Sequence, residues 1–268
     1  MARKNGKFIH GTIGGLEYRV INGKQSVRER PDYTLMKQTD NTKRAAEIFA
    51  KAGLIARYLR TSLANQINSY ADYRMKNRLL ALMLQSLKYS RDQATGIFNF
   101  KEESFNSLEG FEFNEESKFS HFQSNKAVTS LDEGILTVTI PENSIGNELK
   151  FPGKTFYCKV LVNVSLCRLE DGFMEKEAES QFVTVARDID SMEQQTFSFK
   201  VPDGCLCIVS TFLQYTNYAK NNPSVINHKT FNPGQISKAL ISPGVYQDND
   251  DRSWEKMEPM PKRKKKNS

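Results

Sequence analysis

The hydropathy pattern of this chain changes period twice. Near the start, Leu16-Glu-Tyr-Arg-Val-Ile alternates apolar with polar positions, Asn22-Gly23 follows, and Lys24-Gln-Ser-Val-Arg-Glu-Arg alternates again. Asn-Gly supplies both positive-φ positions of a type I′ turn, so the stretch predicts a β-hairpin, with Pro31 closing its second strand. Ahead of it, Gly11, Gly14 and Gly15 read as kinks or points of close backbone approach. Over residues 41–67 the period becomes helical. Ala45, Ile48, Phe49, Ala52, Ile55, Leu59 and Leu63 share one face, and Thr39, Asp40 or Thr42 serves as cap. Lys43, Arg44, Lys51 and Arg57 fall opposite, with Arg60 nearer the boundary. A second helix over 69–90 places Tyr73, Leu80, Met83, Leu84 and Leu87 on one stripe and Arg74, Arg78 and Lys88 on the other side. The two stripes predict a helical hairpin with an apolar seam and outward cations.

Residues 92–106 lose both periods and read as a linker of isolated phenylalanines among polar residues. From Leu108 the period is two. Leu136, Val138 and Ile140 alternate with threonines, and Phe156, Cys158, Val160, Val162, Val164 and Leu166 form the longest alternating set. Further runs follow at 181–187, 196–201, 205–215 and 225–230. Pro152-Gly153, Asp171-Gly172 and Asp203-Gly204 punctuate them, which argues for an antiparallel β-sandwich over 107–247. Residues 248–268 read as a solvated charged tail ending in the lysine-rich run 262–266. The predicted fold is α+β: a basic module of β-hairpin and two helices over 1–91, the linker, the sandwich and the tail.

Charge sharpens this division. Residues 1–91 carry 18 Lys/Arg against 6 Asp/Glu, 92–250 carry 13 against 22, and 251–268 carry 7 against 3. Opposite fields within one chain point to docking between its parts, docking between copies, or a polyanionic partner. At 38% apolar and 10% aromatic, the 268 residues can build a packed core without staples. No segment approaches 18 consecutive apolar residues, and the opening residues lack a secretion signal's apolar run. Cys158, Cys167, Cys205 and Cys207 sit inside apolar strand-like runs, so a reducing, cytoplasmic setting is expected.

The candidate chemistry is thin. Cys205 and Cys207 share a strand face, but His10, His121 and His228 are scattered and no second pair completes a metal site. Gly11-Thr-Ile-Gly14-Gly15 lacks the Gly-Lys-Ser/Thr ending of a phosphate loop and the spacing of a dinucleotide loop. Asp248, Asp250 and Asp251 lack the glycine and glutamate of a calcium loop, since Ser253 and Pro259 stand there. Glu102, Glu103, Glu109, Glu112, Glu115 and Glu116 form an acidic belt that solubilises or faces the basic helices. No catalytic residue, cofactor or metal is expected.

Gly11-Thr-Ile-Gly14-Gly15-Leu16, Tyr18, Val27-Arg28, Ala52-Gly53 and Leu59-Arg60, with Leu108-x-Gly110-Phe111-x-Phe113-Asn114 and Gly134-x-Leu136-x-Val138-x-Ile140-Pro141, resemble a family of Bacteroidota proteins. The resemblance implies a bacterial protein without a signal sequence and brings no activity or catalytic residue with it. The chain departs from the pattern in its short hairpin around Glu17-Tyr18 and Asn22-Gly23, and in an unusually apolar second helix.

The favoured expectation is a non-enzymatic assembly or interaction protein, a homo-oligomer or part of a larger assembly. Its inserting element is Tyr18, Val20, Val27 and Arg28, and Lys43, Arg44, Lys51 and Arg57 face acid. One alternative is nucleic-acid binding by the helix cations, with Arg60, Arg74, Arg78 and Lys88 added. Another is a sugar- or peptide-binding module using Trp254, Tyr215, Tyr218 and Phe231 on the sandwich.

Overall fold

Two-residue turns set the fold of the first thirty residues. Gly14 (φ 54°) and Gly15 (φ 81°) repeat the left-handed pair that Asn22 (51°) and Gly23 (75°) adopt, and Gly6 (59°) opens an earlier turn. Successive positive φ values match the right-handed twist of flanking strands, so each pair closes a hairpin. The result is an antiparallel meander of β1 (Arg3–Asn5), β2 (Phe8–Ile13), β3 (Leu16–Ile21) and β4 (Lys24–Glu29), in that spatial order. The expected hairpin is thus its second half, and Gly14-Gly15 is a turn rather than a kink. The computed structural model describes residues 2–30, 38–68, 70, 72–219, 222–248 and 250–259; Pro31, Ser69 and the 262–266 run lie outside them.

The chain divides into two compact units, Met1–Ala45 and Ala46–Ser268, with the division falling inside α1 (Asp40–Ser62). Thr39 caps this helix, its Oγ1 accepting the Thr42 N–H at 3.3 Å, and Asp40 in the first turn suits the helix dipole. After α2 (Ala64–Ile67) comes α3 (Met75–Ser90). Ile55, Leu59, Leu63, Leu79, Met83 and Leu87 are all fully buried.

Two short 3₁₀ turns, Glu102–Leu108 and Phe119–His121, lead into the strands β5 (Val128–Asp132), β6 (Ile135–Ile140), β7 (Asn143–Ser144), β8 (Tyr157–Arg168), β9 (Phe173–Glu175), β10 (Glu179–Ala186), β11 (Ser191–Met192), β12 (Gln195–Lys200), β13 (Cys205–Ala219), β14 (Asn222–Val225), β15 (Gly234–Ile241) and β16 (Trp254–Lys256). The pairings are all antiparallel. The long β8 and β13 run together from Arg168↔Cys205 to Tyr157↔Thr216. On the other edge of β8 lie β10 and then β9, extended by β16; on the other edge of β13 lie β15 and β14. A separate three-stranded sheet has the order β12-β6-β5, and β7 pairs with β11.

Strand alternation divides the interior into two cores. On one face of the large sheet, Cys167, Leu206, Ile208, Phe212 and Ile236 meet the apolar stripes of α1 and α3. On the other face, Cys158, Val160, Val162, Val164 and Leu166 meet Leu136, Val138, Phe197 and Phe199 of the small sheet. The fold is α+β with antiparallel sheets, and among the described residues no helix is long and apolar enough to cross a membrane.

Several expectations give way. The two helices do not form a module with the hairpin, because their apolar stripes are buried on the large sheet within the second unit. Residues 92–106 are not a linker: Phe105 is fully buried, and Phe98 and Phe100 stack at 5.5 Å and pack on the first core. The described part of the tail is not free. β16 pairs with β9, and Met257 and Trp254 pack against the first and second cores. Phe49, Tyr73 and Phe156, expected on buried faces, are 55%, 90% and 54% exposed.

Candidate interaction surface

Cross-strand register decides what the meander presents. Tyr18 sits opposite Val27 and Gly11, Val20 opposite Gln25, and Ile13 opposite Leu16. With a side-chain period of two, Ile9, Ile13, Leu16, Tyr18, Val20 and Val27 share one face. Every residue of β1 to β4 is exposed or half-buried. Ile13 is 52% and Val27 48% exposed, so this apolar face is not the lining of a core. Gln25 lies on it by register, but its amide turns into the backbone: it accepts from Ile9 N at 2.8 Å and donates to Ile9 O at 2.9 Å and Arg19 O at 3.0 Å. That amide bridges the gap where the β2–β3 ladder ends at Gly11 (φ 113°).

The opposite face is polar. Glu17 accepts from Arg28 Nε and from Arg19 Nε, each at 2.8 Å. The Arg28 hydrogen bond, then that of Arg19, holds the Glu17 carboxyl below the usual carboxylate range. Of the four residues expected in the inserting element, Tyr18, Val20 and Val27 therefore share the apolar face, and Arg28 is on the reverse side. Ile9, Ile13 and Leu16 belong with them. The alternation flanking Gly14-Gly15 was the signal for these three.

The helix cations do not form one surface. Lys43 is exposed and donates to Asp40 at 3.2 Å; Arg44, Arg74 and Lys88 are exposed as well. Lys51 instead lies over the Phe98 and Phe100 rings at 4.4 and 5.3 Å, and burial lowers its pKa. Arg57 stacks on Tyr58 at 4.6 Å and donates to the Glu258 carbonyl. Arg60 is half-buried with its Nε on Ala56 O at 3.1 Å; burial, then Arg57, lowers its pKa. Arg78 pairs with Asp72, and with Glu115 at 3.3 Å; it donates to Glu112 O at 2.8 Å and lies over Phe111. Sequence periodicity placed these cations outward because it could not see the segments that cover them.

The acidic belt is similarly engaged: Glu109 pairs with Lys238 at 2.8 Å, and Glu112 accepts from Phe119 N at 2.8 Å, its pKa raised by burial. A denser acidic region lies elsewhere. β8 ends and β13 begins at the paired Arg168 and Cys205, β15 ends opposite Leu206, and Ile135 pairs with Lys200 at the end of β12. The turns 132–134, 169–172 and 201–204 therefore gather at one end of the sheets. Every charged residue in them is acidic: Asp132, Glu133, Glu170, Asp171 and Asp203. Between them opens a cavity of about 410 Å³ walled by Phe100, Leu131, Leu169 and Ile241, with Glu102 and Glu170 among its lining. Beside it the Arg168 guanidinium stacks on Tyr246, Phe173 and Trp254 and pairs with Asp171.

No family model, curated protein or solved structure matches this chain. Its chemistry must therefore be read from its own residues. All four cysteines are free and buried, and burial raises each thiol's pKa, that of Cys205 to about 12. They stay protonated near neutrality, which disfavours nucleophilic roles. Among the described residues no group of three or more His, Cys, Asp or Glu side chains could hold a metal ion. The Trp254 and Tyr215 named for a sugar site are both engaged inside the fold. Trp254 donates to Asp250 at 3.0 Å, and Tyr215 is fully buried with its hydroxyl on Lys150 O at 2.7 Å.

Proposed function

We propose that this is a non-enzymatic assembly protein in which the N-terminal meander is the docking element. The observation that carries the reading is the uncovered apolar face of Ile9, Ile13, Leu16, Tyr18, Val20 and Val27 on a sheet without a buried residue. A small sheet that leaves an apolar face in water gains stability when that face is covered. Covering what remains exposed of these six side chains is worth roughly 1 kcal/mol each at about 25 cal/mol per Å². About 6 kcal/mol barely meets the cost of immobilising two partners, so added contributions from charge or strand edges are needed for tight association.

We read the two sheets that share the second core as an antiparallel β-sandwich, the scaffold that carries the docking element. The four free thiols fit a reducing, cytoplasmic setting. Binding of a polyanion is the second reading. It rests on the exposure of Lys43, Arg44, Arg74 and Lys88, and is weakened because Lys51, Arg60 and Arg78 are half-buried against other parts of the fold.

The test is sedimentation velocity on the full chain and on the double variant Ile13→Asp/Val27→Asp. Both positions are about half exposed, so the changes tax folding little. Association of the parent that is lost in the variant supports the reading; a parent that stays monomeric across the concentration range overturns it.

A further inference from the structure

Resting on that reading, we infer that the receptor for the meander is the acidic end of a second copy, and that the tip of the β3–β4 hairpin enters its cavity. The chemistry of the two surfaces matches. At the tip, Ile21 is 56% exposed and pairs with Lys24; Arg19, ion-paired with Glu17 at 2.5 Å, lies two positions back on the same face. An apolar knob flanked by cations is what the cavity would accept. Phe100, Leu131, Leu169 and Ile241 supply apolar walls, and Glu102 and Glu170 supply acid. A volume of about 410 Å³ lies within the usual range for ligand pockets, so it admits an isoleucine together with parts of its neighbours. Ile21 projects from the face opposite to Tyr18, Val20 and Val27, so Val245, 67% exposed in the adjoining cleft, is the apolar surface left for Val20 and Val27.

Charge also selects the occupant. The unit Met1–Ala45 carries 10 Lys/Arg against 4 Asp/Glu. Pairing two meanders face to face would bring like fields together, whereas the turns around the cavity contain only acidic charges. Like-charge contact is penalised and opposite charge steers encounter. Because tip and cavity are different patches, two copies either exchange tips about a two-fold axis, or the contact propagates head to tail into a ring or an open chain.

The experiment is a charge swap in the full chain, read by sedimentation velocity at low and high salt, with far-ultraviolet circular dichroism confirming that each variant is folded. Lys24→Glu alone, and Glu102→Lys/Glu170→Lys alone, are each expected to weaken association about tenfold. Mixing the two variants, which pairs reversed tip with reversed rim, should recover it to within about threefold of the parent, and high salt should weaken the parent. Loss of association in Ile13→Asp/Val27→Asp with no effect of Glu102→Lys/Glu170→Lys would overturn this receptor while leaving the docking role standing. A parent that is monomeric throughout would overturn both. A second measurement fixes the occupant: Lys24→Cys/Glu170→Cys, oxidised under mild conditions, should give interchain disulfides. An exclusively intrachain link would overturn the assignment to a second copy.

Discussion

Replacing Arg168 should unclasp the C-terminal segment from the sheet, and the chain carries its own reporter for this in Trp254, its single tryptophan. The guanidinium of Arg168 lies 3.7 Å from the centre of the Tyr246 ring, 4.7 Å from Phe173 and 5.3 Å from Trp254, and its side chain is only 13% exposed. Tyr246 and Trp254 meet edge to face at 5.6 Å, so the cation ties together β8, β9 and the segment leading into β16. Two close and partly desolvated cation–π contacts contribute about 1 kcal/mol each. The Asp171 ion pair, whose carboxylate is 43% exposed, joins β8 to its own turn and does not hold the C-terminal segment. Of these contacts only those to Tyr246 and Trp254 cross to the C-terminal segment, so Arg168→Ala should weaken the clasp by about 2 kcal/mol, which is roughly a 30-fold shift in its opening equilibrium. Arg168→Met, which keeps the apolar stem, should lose about half as much. The assay is Trp254 emission with acrylamide quenching at neutral pH. The expected result is a red shift and at least a doubling of quenching in the alanine variant, with a smaller change in the methionine variant. Only a modest change in global unfolding should accompany it, because a three-residue edge strand opens locally. Unchanged emission and quenching in Arg168→Ala would refute the claim that this cation organises the segment.

Phe105→Ala removes a fully buried ring from the region that looks like a linker, and should cost about 3–5 kcal/mol in denaturant unfolding; a loss below about 1 kcal/mol would return that region to linker status. In Gly234→Ala the new Cβ would come within 2.2 Å of the Phe212 ring, which stacks on Phe113 at 4.9 Å, so overpacking should cost about 1–3 kcal/mol, read as a lower melting midpoint. Carboxyl titrations followed by NMR should separate in opposite directions. Glu17, held down by Arg28 and Arg19, should titrate below 4.5; Glu175, raised by burial despite its bridge to Arg252, should titrate above it. Glu17 thus contributes stability that is present above its usual value and lost as pH falls through its folded pKa. For Glu175, stability is fully present below 4.5 and lost as pH rises through its raised pKa. Coincident midpoints for the two groups would contradict both environments.

What the sequence makes legible is decided by how local each element's partners are. The alternation of Cys158, Val160, Val162, Val164 and Leu166 marks β8 because one whole face of that strand enters a single core. The stripe Ala52, Ile55, Leu59, Leu63 marks α1 for the same reason. Where a residue's partner is distant, the pattern misleads. Lys51 sits away from its helix's main stripe, yet Phe98 and Phe100 fold back over it. The same contact explains why residues 92–106 imitate a linker: their phenylalanines are spaced to meet a helix some fifty residues earlier, and the 3₁₀ turn at Glu102–Leu108 supplies no helical or strand period.

The C-terminal segment shows the limit most plainly. β16 is three residues long, its partner β9 lies about eighty residues earlier, and its own Glu255 and Lys256 with the preceding Asp250, Asp251 and Arg252 give it the composition of a solvated tail. Its order comes from discrete long-range contacts: Arg252 on Glu175 at 2.9 Å, Trp254 beside Arg168, and Met257 N on Gly172 O at 2.8 Å. None of these has a periodic signature. The meander lies at the other extreme. Gly14-Gly15 and Asn22-Gly23 use the same positive-φ chemistry, but the second is the plainer signal because alternation is complete on both its flanks, whereas β2 is interrupted by Gly11. The apolar face that results is legible only after register is known. Ile9, Ile13 and Leu16 come from two strands whose turn had to be identified before their side chains could be placed together. The candidate surface is therefore a product of topology rather than of any motif, and its test belongs to solution association rather than to sequence comparison.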